Sequence, residues 1–321
     1  MWRLSSPRLD SIGRRSTDER GATAVMVALV MVLLLGFAAI SLDVAALFAE
    51  RQKLQLGADA AALAIARDCA AGDCGTYNAT AQKYVTENST APGATGSVLT
   101  SGLDPNTGQV RVQADATTDH WFAPFLGINE TSQSVQAAAK WGGPVAGPAV
   151  LPLAFGWCEW EKQTGGGLPS STSPVVIYTT KTSDTGCTGP SGLTAPGGFG
   201  WLAPGADCVV VSRKGDWIYS SPGNSPSCDP TWVAKYQNQT VMLPIFDQFR
   251  ASGANLEYRV SGYAAFKVTG YYFAGSFRWN SPCGGSDRCI AGYFTAYVTS
   301  ADWELGVGGV DYGARIVTLS D

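Results

Sequence analysis

The sequence is poor in histidine and in charge: His120 is its only imidazole, and Asp, Glu, Lys and Arg together make up 15% of 321 residues. Classical Ser-His-Asp chemistry would have to use His120, and nothing in the sequence aligns it with a nucleophile. There is no C-x2-C pair and no Cys/His cluster, so the donor spacing of a metal site is missing. Nor does any G-x-S-x-G elbow, Walker loop, H-E-x-x-H or dinucleotide fingerprint occur. The pairs Asp18/Glu19 and Glu159/Glu161 read as solvated charges, because adjacent acids alone do not make a glycosidase. We therefore assign no catalytic residue, metal, cofactor or small-molecule substrate, and read the chain as non-enzymatic. No dense Lys/Arg stripe follows Arg20 and the net charge is −4, which argues against a nucleic-acid partner.

What the chain has in quantity is Gly (38), Pro (17), Trp (10) and Tyr (12), a composition that suits a turn-rich β protein. Its eight cysteines, Cys69, Cys74, Cys158, Cys187, Cys208, Cys228, Cys283 and Cys289, all follow the one long apolar run. An even set in that position points to disulfides in an oxidising compartment. Eight cysteines allow about 105 pairings, so connectivity stays open. The short loops Cys69/Cys74 and Cys283/Cys289 are the simplest choices, followed by Cys208/Cys228 and Cys158/Cys187.

From Gly21 to Leu42 no side chain is charged. About 20 such residues cross a bilayer as a helix, and a secretory signal's apolar core is shorter, about 7–15 residues. The run length favours a retained helix over a cleaved signal. Arg3, Arg8, Arg14, Arg15 and Arg20 precede it, which keeps the N-terminus cytoplasmic and sends the rest of the chain outward. The expected location is thus the cytoplasmic membrane, single-pass. Helical character continues without proline to Cys69, with Leu54, Ala58, Ala61 and Ile65 on one stripe and Gln52, Gln55 and Asp59 on another. Such a helix projects beyond the bilayer. The periodicity leaves open whether its apolar stripe packs on this chain or on a neighbouring subunit.

The segment ERGATAVMVALVMVLLLGFAAISLDVAALFAERQKLQLGADAAALAIA, Glu19 to Ala66, resembles the N-terminus of TadE/TadG-like proteins of Flp (tight-adherence) pilus assembly. Asp43 in LDVAALFAERQKLQ and Asp59 in ADAAALA carry the resemblance. It implies an envelope-anchored, pseudopilin-like component without cofactor, whose partners are the membrane and pilus-assembly or pilin subunits. It makes Asp43 and Asp59 candidate contacts to a partner helix and Gly21 a candidate prepilin-type cleavage site. Pilin-like members often carry Glu five residues beyond the cut, and here that residue is Met26, which favours the retained, TadG-like side of the family. The alternative function is a membrane-tethered or secreted binding domain, for instance for carbohydrate, using the aromatic tracts Trp157–Trp160 and Tyr271–Trp279. Such aromatics more often fill a β core.

Further along, Thr76–Asn88 reads as a second helix and SVLTSGLDPNTGQVRVQADATTDHW as two strands about a turn at Asp104–Gly108. The aromatics of WFAPFLGINETSQSVQAAAKWG read as core. The GGPVAGP stretch at 142–148 reads as a boundary. Beyond it, β-type runs recur at Ala149–Trp157, Val175–Thr180, Cys208–Ser212, Val241–Phe249 and Leu256–Trp279. In the last of these Leu256, Tyr258, Val260, Ala264, Phe266 and Val268 share one parity, predicting one buried face. Cys289–Thr299 and Ala314–Leu319 are expected to pair beside it. The expected fold class is α+β. Its parts are a basic N-terminus at 1–20, a transmembrane helix with an extracytoplasmic extension at 21–68, a small pilin-like α/β region at 69–146, and a disulfide-rich, mostly antiparallel β domain at 147–321.

Overall fold

The computed structural model describes residues 20–179, 186–205, 207–223, 226–252, 255–299, 302–306 and 310–320. The basic segment before Arg20, with Asp18/Glu19, and Thr180 at the end of one expected strand lie outside the described residues.

One helix, α1, runs from Arg20 to Ala71, 52 residues or about 78 Å at the α-helical rise. No proline interrupts it, and its environment changes part-way. Val25 to Leu42 expose their large apolar side chains, whereas Leu54, Ala58, Ala61, Ala62, Ile65 and Ala66 are completely buried. The buried stripe is the one expected from the 3.6-residue spacing. After α1 ends, Gly72 takes a left-handed φ of 108° and the Cys69–Cys74 disulfide closes the corner. The chain then enters α2 (Tyr77–Asn88). Gly57 lets the two helices approach closely, since a Cβ there would lie 3.1 Å from the Val85 Cα.

Three antiparallel strands follow: β1 (Thr95–Asp104), β2 (Gln109–Asp119) and β3 (Glu130–Gly142). Alternate residues Val110, Val112, Ala114 and Ala116 of β2, and Val135, Ala137, Ala139 and Trp141 of β3, form one core with the buried stripe of α1. This is the expected helix-on-sheet arrangement. The sheet is completed from the far end of the chain: Ala314–Ser320 pairs antiparallel with β3, and Tyr297–Thr299 pairs parallel with Ala314–Ser320. The expectation that Ala314–Leu319 would join Leu256–Trp279 is therefore corrected.

At the 142–148 stretch the chain leaves β3 and passes into a second sheet. Pro144–Ala149 is a strand, β4, bonded to Val210–Arg213 on one side and Glu304–Leu305 on the other. Its prolines are accommodated in a short three-stranded sheet, where Pro148 faces Val211 and Pro144 faces Leu305.

The largest sheet has the order Val175–Tyr178, Cys289–Thr295, Asn255–Tyr272, Thr240–Ser252, Leu153–Gly156, Phe199–Trp201, and is antiparallel except between Thr240–Ser252 and Leu153–Gly156. One face packs Phe155, Phe199, Trp201, Phe266, Phe273 and Phe294 into an aromatic core. The expected parity is buried, but so is the opposite one, through Glu257, Ser261, Tyr263 and Ala265. The Tyr263 hydroxyl bonds to Ser212 of Val210–Arg213, and the Ser261 hydroxyl lies 2.7 Å from that of Tyr312, so a second layer covers this face. Disulfides Cys158–Cys187, Cys208–Cys228 and Cys283–Cys289 staple this part.

Candidate membrane-proximal interface

The best-defined polar chemistry in the molecule lies where α1 leaves its uncharged run. Asp43 is the first charged residue after Arg20, and it is 5% exposed. Its Oδ1 accepts the N–H of Trp121 at 2.9 Å, and its Oδ2 accepts those of Phe122 at 2.9 Å and Ala123 at 2.6 Å. These donors open the 3₁₀ turn Ala123–Leu126 in the connection between β2 and β3, whose own side chains provide no cap. The carboxylate thus satisfies backbone groups that a turn entry leaves unpaired. Both oxygens of Asp43 are engaged within the chain.

A second acid repeats the device two turns further along. Glu50, also 5% exposed, takes the N–H of Thr90 at 3.0 Å and of Ala91 at 3.1 Å, together with the hydroxyls of Ser89 and Thr90. Burial pushes the Glu50 carboxyl up, but these donors more than offset it and hold the group below the usual carboxylate value. Between the two acids, the Gln133 side chain donates to the Leu47 carbonyl at 3.3 Å. Glu50 and the Gln133 contact were missed in the sequence. The available signal was a glutamate on the helix face that continues into Leu54 and Ala58.

Asp59 accepts a bond from Gln55 at 2.9 Å and lines an open groove of about 580 Å³ with Arg111, Gln136 and Leu319. Gly21 stands exposed in the first turn of α1. His120 meets Thr131 at 2.8 Å across the ends of β2 and β3. Glu159 accepts the Gly198 N–H at 2.8 Å and the Lys162 ammonium at 3.0 Å. Among the described residues no group of three or more His, Cys, Asp or Glu converges as a metal site. In the aromatic tracts, Trp160, Tyr271 and Phe273 are buried and serve as core. The tract at 121–128 is the reverse: Trp121, Phe122, Phe125, Leu126 and Ile128 are exposed, correcting the expectation that its aromatics are core.

α1 is long and apolar enough to cross a membrane, and among the described residues nothing covers its apolar run. Residues 21–68 match the Tad family, Flp pilus-assembly TadE/G-like. This TadE/G-like segment holds both Asp43 and Glu50, and it links the chain to Flp pilus systems. No curated protein and no solved structure matches the chain.

Proposed function

We propose that this chain is a membrane-anchored, non-enzymatic TadE/TadG-like component that supports Flp pilus assembly or surface attachment. α1 crosses the cytoplasmic membrane with residues 21–42, the N-terminus stays cytoplasmic, and the folded part stands outside. The carrying observation is the change within the family-matching segment. Its first half exposes Val25 to Leu42 with no cover from the described residues, while its second half buries one stripe, Leu54, Ala58, Ala61, Ala62, Ile65 and Ala66, against α2, β2 and β3. A helix apolar all round and uncovered suits lipid, whereas a buried stripe suits a packed domain. Cys69–Cys74 and the other three disulfides suit the oxidising side.

Partner contacts fall to surfaces left free in this chain. Asp59, partly exposed at the groove with Gln55 and Arg111, is the better placed of the two acids to meet another subunit. Asp43 serves its own chain, and Gly21 is retained uncut because Met26 replaces the acid that prepilin processing accompanies. The test is crosslinking in intact native cells, purification, and mass spectrometry of partners and of the N-terminal peptide. Recovery of pilin or secretion-platform subunits with an intact peptide across Gly21 is expected. Recovery without any pilus subunit overturns the reading in favour of a tethered binding domain.

A further inference from the structure

The tip between β2 and β3, residues 120–129, presents five large apolar side chains to solvent: Trp121 is 77% exposed, Phe122 43%, Phe125 99%, Leu126 68% and Ile128 52%. From Trp121 through Asn129 no residue is charged, and the flanking charges Asp119 and Glu130 sit where the two strands begin to pair. A contiguous apolar surface of this kind marks an interaction site.

Three contacts place this tip along α1. Asp43, the residue immediately after the uncharged run, holds the N–H groups of Trp121, Phe122 and Ala123, and Gln133 of β3 reaches the Leu47 carbonyl one turn further on. Gln55 in turn donates to the Gln136 carbonyl of β3, so α1 and β3 advance together away from that end. The tip is therefore level with the outer end of the apolar run of α1, where Ile40, Leu42 and Val44 are exposed as well. Tryptophan and other amphipathic rings collect at this depth of a bilayer. Asp43 satisfies the N–H groups of Trp121, Phe122 and Ala123, and the tip's own carbonyls accept those of Phe125, Gly127 and Ile128, so these donors can enter a region poor in water already paired.

We infer that the Trp121–Ile128 tip inserts into the outer interfacial layer of the bilayer that α1 crosses. It forms a second attachment point that, with the Asp43 clamp, fixes the tilt of the helix-backed sheet over the membrane. The inference rests on the membrane-anchor reading above, and the experiment separates the two.

The full chain is reconstituted in nanodiscs of phosphatidylcholine and phosphatidylglycerol with p-benzoylphenylalanine at one position, irradiated and analysed by mass spectrometry. The positions are Phe125, Trp121, Leu34 within the apolar run, and Val211, which is 75% exposed on β4's neighbouring strand. Phe125 makes no buried contact, so its replacement does not disturb folding. Lipid adducts at Leu34, Trp121 and Phe125, with none at Val211, are expected. Lipid adducts at Leu34 but none at Trp121 and Phe125 overturn the inference and leave the anchor intact. Adducts from Phe125 to a second copy of the chain also overturn it, assigning the tip to a protein interface. Absence of lipid adducts at all three positions overturns the anchor reading and the inference with it.

Discussion

Replacing Glu50 by Ala removes the acceptor from four donors at once: the N–H groups of Thr90 and Ala91 and the hydroxyls of Ser89 and Thr90. A hydrogen bond to a charged group contributes about 1.5–3 kcal/mol, but a donor that returns to water recovers most of that. Thr90 is exposed, whereas Ser89 and Ala91 are partly buried, so the loss runs mainly through the latter two. The expected local destabilisation is about 2–3 kcal/mol. It falls on the link between α2 and β1, which is anchored to α1 at this point. The assay is amide hydrogen exchange on the full chain in nanodiscs. Exchange at Thr90 and Ala91 should accelerate by about 30-fold for each 2 kcal/mol, while peptides around Phe266 in the aromatic core stay unchanged. Glu50→Gln keeps one carbonyl acceptor and should fall between the two. The folded carboxyl titrates below its ordinary 4.5, so the clamp is fully present above that pH and is lost as pH falls through the lower folded value. Exchange at Thr90 and Ala91 equal in Glu50→Ala and wild type, or an equal acceleration at Phe266, would refute the clamp.

Three further outcomes are expected. Gly108→Ala places a Cβ 2.0 Å from the Trp141 carbonyl oxygen at a φ of 63°, and should cost at least about 2 kcal/mol, read as a lowered thermal midpoint; an unchanged midpoint would contradict the β2–β3 register. Arg315→Met removes the guanidinium that bonds the Ala70 carbonyl at 2.7 Å and pairs with Asp311, uncapping the C-terminal end of α1 by about 1 kcal/mol; faster exchange in residues 66–74 checks it. Burial pushes the Tyr263 phenol up to about 12 despite its bond to Ser212, so folding favours the protonated form; its stabilising effect is complete below the ordinary value of 10 and fades as pH rises toward 12. An absorbance titration in which Tyr263→Phe removes a phenol ionising near 10 would contradict that placement.

Short-range pattern made much of this architecture readable. The Leu54, Ala58, Ala61 and Ile65 stripe, α2, the β1–β2 turn at Asp104–Gly108 and the long strand around Phe266 follow from periodicity and turn chemistry. What escaped depends on contacts that periodicity does not encode. The pairing of Ile316 with Gly142 joins residues more than half the chain apart. The second covered face of Asn255–Tyr272 exists because Ser212 and Tyr312 arrive from distant segments, which no alternation within the strand announces. The 121–128 tract looks like core because its composition is that of a core; only its position at a hairpin tip makes it surface. Asp43 was legible as unusual, but its bonds to residues 121–123 required the tertiary structure.

The return of the C-terminal strand alters how the large β region relates to the TadE/G-like segment. Ala314–Ser320 supplies the outer partner of β3, Val317 enters the core with Leu54 and Ile65, and Arg315 holds the last carbonyls of α1. A chain ending after β4 would leave the edge of β3 unpaired and those carbonyls without their cation, both costly in a buried setting. The β region is therefore packed into the same core as the TadE/G-like helix: α1 is held by Arg315 and Val317, which lie more than 240 residues beyond its end. Any load carried through the 173 residues between Gly142 and Ile316 is delivered back to the sheet that grips α1. Under the proposed function, an attachment made by the outer β region would reach the anchor through that pairing, so both parts act on the pilus machinery as one body.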